Sequence, residues 1–199
     1  MKKHPGILTA LLSIVLAAAA LVLHGMSFYG SVLAVLACIV SCAAVSDLIS
    51  LRIPDRLILA GLLLFLVWSL AGAVFPGAGS AASGNDPRHG FFHRFFGAFL
   101  PAVLSGVLCT VPLLFLSLFA DRVFHKTTLG GGDLKLIFLL CLYFPLETDL
   151  YGLLCSCGYG IITGALLLSG RRRGSALHGF PLGPAIVLGW WTAMMLSYL

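Results

Sequence analysis

Apolar residues run along this chain in blocks of roughly twenty, and polar residues are confined to the breaks between them. Read with a window of about 19 residues, the blocks predict helices near 7–23, 29–47, 57–75, 95–119, 130–146, 150–169 and 184–199. Most approach or reach the roughly 17–25 residues that cross a bilayer. The fifth is the exception: after Asp133 the apolar stretch runs only from Leu134 to Leu146. Such a helix must either draw Asp133 into lipid or be buried by its neighbours. A carboxylate left at membrane depth costs roughly 2.5 kcal/mol or more, so an ionisable group there is a functional-site candidate.

Composition agrees with the block pattern. Hydrophobic residues make up 60% of the 199 positions, charged residues 10%, and mean hydropathy is +1.07. The expected fold is all-α: a polytopic membrane helical bundle of six to seven transmembrane helices, with residues 1–199 forming one membrane-embedded domain. The range turns on residues 1–24. Lys2-Lys3 followed by an apolar run ending in Ala17–Ala20 suits both a signal anchor and a signal peptide. The uncleaved anchor is favoured, and cleavage would leave six spans in the same orientation. From Phe75 to Arg94, Pro76-Gly77-Ala78-Gly79-Ser80 and Gly84-Asn85-Asp86-Pro87 supply linker chemistry.

The net charge of +5 does not point to nucleic acid, because the basic residues sit at block ends rather than on one soluble face. They read as topology signals. With a cytoplasmic N-terminus, Lys2, Lys3, Arg52, Arg56, Arg122, Lys126, Lys135 and Arg171–Arg173 lie inside, against Arg88 and Arg94 outside. Asp86, Glu147 and Asp149 fall outside, while Asp47 and Asp133 share the cytoplasmic side. The basic inner surface also suits anionic lipid headgroups. All six cysteines lie in apolar blocks without a Cys-x-x-Cys pair, so buried free thiols are expected, Cys38 and Cys42 sharing one helix face. No cofactor or metal is expected. His89 and His93 stand four apart, but beside Phe91, Phe92, Phe95 and Phe96 they read as part of an interfacial aromatic belt.

The two inward aspartates come from different helices. Asp47 ends the second block and Asp133 opens the fifth, at one membrane depth. Each has a structural alternative: Asp47 could pair with Arg52, and Asp133 could cap its own helix, where the dipole favours an anion. As a pair they suggest acid chemistry. Two nearby carboxylates do not both ionise cheaply, so they share a proton, one serving as base toward water and the other as acid toward a carbonyl. Gly130, Gly131 and Gly132 before Asp133 remove side-chain bulk and let a substrate backbone approach. Lys135, two positions on, points away from Asp133 on a regular helix and is assigned to electrostatic tuning or snorkelling. Pro54 suits the first turn of the third helix, with Asp55 as a candidate cap. Phe180-Pro181-Leu182-Gly183-Pro184 cannot be regular helix throughout. Irregular backbone at membrane depth is tolerated only beside protein or a water-filled cavity.

At these residues the chain resembles the type IV prepilin peptidases, polytopic aspartyl proteases whose second catalytic aspartate lies in a Gly-x-Gly-Asp motif. Gly130-Gly131-Gly132-Asp133 matches that motif and continues Leu134-Lys135-Leu136 as in the family. Asp47 with Ile53-Pro54-Asp55 matches the first aspartate and its Ile-Pro-Asn-like element, with Asp in the third place. Pro181-Leu182-Gly183-Pro184 is similar to the family's Pro-Phe-Gly-Pro, so the resemblance spans roughly residues 40–190. It implies Asp47 and Asp133 as catalytic residues and Gly130–Gly132, Lys135, Pro54, Asp55, Pro181, Gly183 and Pro184 as supporting ones. The implied partner is a prepilin or prepilin-like protein, whose short basic leader is cleaved on the cytoplasmic side of the inner membrane. Larger relatives also methylate the new terminus with a cysteine-rich domain; residues 1–199 hold no such domain, so methylation is not carried over.

Two other classes compete. A proton- or ion-coupled transporter also uses intramembrane acids, but the outer halves of these blocks are almost wholly apolar and no inverted repeat is visible. A non-catalytic assembly subunit would separate from an enzyme when challenged with a prepilin. Neither His-Glu-x-x-His nor Gly-x-Ser-x-Gly is present.

Overall fold

A computed structural model describes residues 5–25, 27–75, 91–124, 129–169 and 181–198. Among them are seven helices: α1 (Pro5–His24), α2 (Phe28–Ser50), α3 (Asp55–Val74), α4 (Phe91–Phe124), α5 (Gly131–Cys141), α6 (Leu146–Ser169) and α7 (Gly183–Leu196). Each matches one apolar block. Lys2, Lys3, Arg88, Lys126 and Arg171–Arg173, which carry much of the charge asymmetry, lie outside the described residues, as do His89, Phe180 and the linker at 76–90.

Five helices, α1 to α4 and α6, are long and apolar enough to cross a membrane. Their outward faces are bare hydrocarbon: Ile14, Val22, Leu59, Leu100 and Ile161 are all more than half exposed. Water would not tolerate so much apolar surface, whereas lipid does, and helices satisfy their own backbone groups there. The chain is a multi-pass membrane protein. At 34 residues α4 is about 51 Å long by its rise of ~1.5 Å per residue, more than the hydrocarbon core needs. It accommodates Pro101 and Pro112 within its length.

α5 is the structural centre. Its 11 residues reach only about 16 Å, half of the roughly 30 Å hydrocarbon thickness. It is buried by its neighbours instead: Leu136, Leu139, Leu140 and Cys141 have no exposed surface. Small residues on flanking helices let it sit deep. A Cβ added to Gly61 of α3 would come 2.6 Å from Leu139, and one on Gly106 of α4 would come 2.9 Å from Phe138. α7 packs along α6 by the same device, with Gly152 against the Trp190 ring and Gly189 against Ser156. α1 belongs to this bundle, since the Trp191 indole donates to the Leu16 carbonyl at 3.0 Å.

The chain turns at Leu142–Pro145 before α6 begins. Tyr143 locks that turn, donating its hydroxyl to the Gly61 carbonyl (2.7 Å) while its own carbonyl accepts from Tyr29 (2.9 Å). α5 thus hangs between a fixed far end and the aspartate at its N-terminus.

Candidate active site

Asp47 lies on the last turn of α2, which runs on to Ser50 rather than stopping at the aspartate. The helix ends at Leu51, whose left-handed backbone (φ 53°) returns its N–H to the Asp47 carbonyl at 2.8 Å. This closure satisfies an otherwise orphaned carbonyl. The Ser46 and Ser50 hydroxyls reach the Arg52 carbonyl at 3.4 and 3.2 Å, fixing the short turn into α3. The turn delivers Ile53 onto Gly132, where an added Cβ would meet the Ile53 Cβ at 3.3 Å.

The Asp47 carboxylate is buried, and its Oδ2 accepts the Gly183 N–H at 2.8 Å. Gly183 is the first residue of α7, so Asp47 sits at a helix N-terminus, where free N–H groups and the dipole favour an anion. Nothing larger fits there: a Cβ on Gly183 would lie 3.0 Å from Oδ2 and 3.1 Å from the Asp47 Cβ. Pro184 falls within the first turn, where its missing N–H costs nothing. Pro181 and Leu182 precede the helix as irregular chain. The expected break in regular structure is therefore confined to the entry of α7, beside Asp47.

Asp133 is the third residue of α5 and is 9% exposed. Its carboxylate folds back over Gly130, from whose backbone it receives a hydrogen bond; Oδ2 would lie 3.0 Å from a Cβ placed on Gly130. Asp133 also lies close enough to Asp47 for the two charges to interact. Around Gly131, by contrast, an added Cβ would meet nothing within 4 Å. Four helix ends meet here: the C-terminus of α2 and the N-termini of α3, α5 and α7. A pair of buried carboxylates held by backbone donors can keep one proton between them.

The supporting residues separate into distinct roles. Lys135 points away from Asp133 and pairs with Asp55 Oδ1 at 2.6 Å on the exposed rim, joining α5 to α3. Asp55 is not the cap of α3; Pro54 holds that position, and no side chain caps it. Asp149, whose burial the sequence did not announce, has no exposed surface at all, accepting from the Ser105 hydroxyl (2.6 Å) and the Trp190 indole (3.0 Å). Its partners lie 44 and 41 residues away, so no local signal could have found them. Cys109 and Cys141 are buried as expected, whereas Cys38, Cys42 and Cys157 face outward.

The profile of the type IV leader peptidase family matches residues 33–165, that is 133 of 199 positions. The chain belongs to the type IV leader peptidase family. It is therefore a membrane-embedded leader peptidase, and the family implies a prepilin substrate. The matched region contains both aspartates, the Ile53–Asp55 element and the Gly130–Gly132 run. It ends before Gly183, so the contact of Gly183 with Asp47 is an observation independent of the match. Neither a curated protein nor a solved structure matches the chain.

Proposed function

We propose that this peptidase is an aspartyl endopeptidase that removes short basic leaders from prepilin or prepilin-like proteins at the cytoplasmic face of the inner membrane. One observation carries the reading: Asp47 and Asp133, from two helices 86 positions apart in sequence, converge where α7 directs the Gly183 N–H at one carboxylate and Gly130 backs the other. Between two such acids, the ionised member takes a proton from a water while the protonated member donates to the scissile carbonyl oxygen. The attacking hydroxide forms a tetrahedral gem-diol, and its collapse breaks the C–N bond. The proton taken from water goes to the leaving amine while one gem-diol hydroxyl gives its proton back to the other aspartate, returning the pair to its starting state with one proton.

Other features support the same reading. The open space over Gly131 gives an extended substrate backbone room to lie beside Asp133. The positive-inside balance of the sequence supports a cytoplasmic orientation for this end of the bundle, where basic residues also meet anionic lipid. Residues 1–199 act as one catalytic domain with α1 as a retained anchor. Co-expression with candidate prepilins, followed by mass spectrometry of their N-termini, tests the proposal. Loss of the basic leader after one fixed residue, usually glycine, is expected; intact prepilins across every candidate, with the peptidase inserted, would overturn it.

A further inference from the structure

At the other end of α5, eight residues and about 12 Å beyond Asp133 by helix rise, Cys141 meets two side chains from flanking helices. The sulfurs of Cys109 on α4 and Cys141 on α5, and a carboxylate oxygen of Asp149 on α6, all lie within 4.8 Å of one another, and all three residues are buried. We infer that Cys109, Cys141 and Asp149 form a metal site, and that its ion is zinc. Two thiolates and a carboxylate suit a borderline-soft divalent ion, and three protein ligands leave one position for water. For three atoms so placed there is always a point within about 2.8 Å of all of them. A closure of roughly half an ångström reaches the ~2.3 Å zinc–sulfur and ~2.0–2.2 Å zinc–oxygen distances.

Two independent features frame the cluster. The first is an outer set of donors: Ser105 and Trp190 each donate to one oxygen of Asp149, the arrangement that orients a ligating carboxylate. The second is a neighbouring cavity, separated from the ligands by the residues beside them. A cavity of about 640 Å³ opens at the end of the bundle away from the aspartates, bounded by Tyr29, Trp68, Tyr143 and Tyr198. Its wall includes Ser105, Leu142 and Thr148, the immediate neighbours of the ligands. A bound ion displaces two thiol protons, so binding weakens as pH falls. The bound ion pins α4, α5 and α6 together and holds the short helix that bears Asp133. It takes no part in peptide hydrolysis.

Elemental analysis of detergent-purified protein tests the inference, together with cobalt titration of the metal-stripped full chain. About one zinc per chain is expected, and added cobalt should give a thiolate-to-metal charge-transfer band with tetrahedral visible bands. Ser105→Ala, which keeps every ligand, should weaken zinc affinity by roughly 10- to 100-fold. Cys109→Ser should abolish the cobalt band, whereas Cys42→Ser on the outer face of α2 should leave it unchanged. Folded wild-type protein that neither carries zinc nor develops the cobalt band would overturn the proposal. So would a Cys109→Ser protein whose band is undiminished.

Discussion

Three glycines and Gly183 surround the aspartates at different distances, and substituting each by alanine separates two explanations for them. Gly183→Ala brings a methyl to 3.0 Å from Asp47 Oδ2 and 3.1 Å from its Cβ, several tenths of an ångström inside the usual ~3.5–4.0 Å contact. Neither α2 nor the start of α7 can yield easily, because Leu51 closes the first and Pro184 stiffens the second. The carboxylate must retreat and lose the 2.8 Å bond from Gly183. A hydrogen bond to a charged group contributes about 1.5–3 kcal/mol, which corresponds to roughly 10- to 150-fold in rate. Gly130→Ala should act alike, since its φ of −70° suits any residue and the cost is contact with Asp133. Gly132→Ala meets only Ile53 at 3.3 Å and should cost less, and Gly131→Ala, with open space around it, should leave unfolding unchanged and slow cleavage only by crowding the substrate backbone. Initial rates of prepilin cleavage in proteoliposomes, with thermal unfolding of each variant alongside, provide the assay. If Gly131→Ala is the most damaging, the run serves substrate approach rather than the aspartates. A fully active Gly183→Ala would refute the assignment of its N–H to Asp47.

Other outcomes follow from the same packing. Exchanging the rim pair as Asp55→Lys with Lys135→Asp should restore the cleavage lost in either single variant, each loss staying within about 1 kcal/mol because the pair is solvent-exposed; a double-mutant cycle on cleavage rates reads the coupling. Cleavage should fall on both sides of one pH optimum, at low pH because the base is protonated and at high pH because the acid is lost; a flat profile of kcat/KM would exclude a shared proton. Gly189→Ala drives a methyl against the Ser156 backbone, 2.6 Å from its nitrogen, and should lower unfolding stability by about 1–3 kcal/mol, read as an earlier thermal transition. An unchanged transition would mean that α6 and α7 separate more easily than their packing implies.

The helices were legible because hydrocarbon imposes one pattern on every span, and each apolar block became a helix. The convergence of Asp47 and Asp133 was legible for a different reason: two carboxylates at one membrane depth are too costly to leave apart in lipid. What the sequence could not reveal came from contacts between distant segments. Charge counting assigned Asp149 only to a side of the membrane, and no local feature announces that it is buried with Ser105 and Trp190 as its donors. Asp55 looked like a cap because acids favour helix starts, yet Lys135, 80 positions away, claims it. The short apolar run after Asp133 posed a choice between lipid and burial, and only Gly61 and Gly106 on neighbouring helices decide it for burial.

The central claim is that Asp47 and Asp133 act as one unit. Its most direct test is cleavage of a co-expressed prepilin by Asp47→Asn, Asp133→Asn and the double variant, each checked for membrane insertion. Residues that act together are non-additive, so each single variant should lose cleavage as completely as the double. Near-normal cleavage by either inserted single variant would contradict the account.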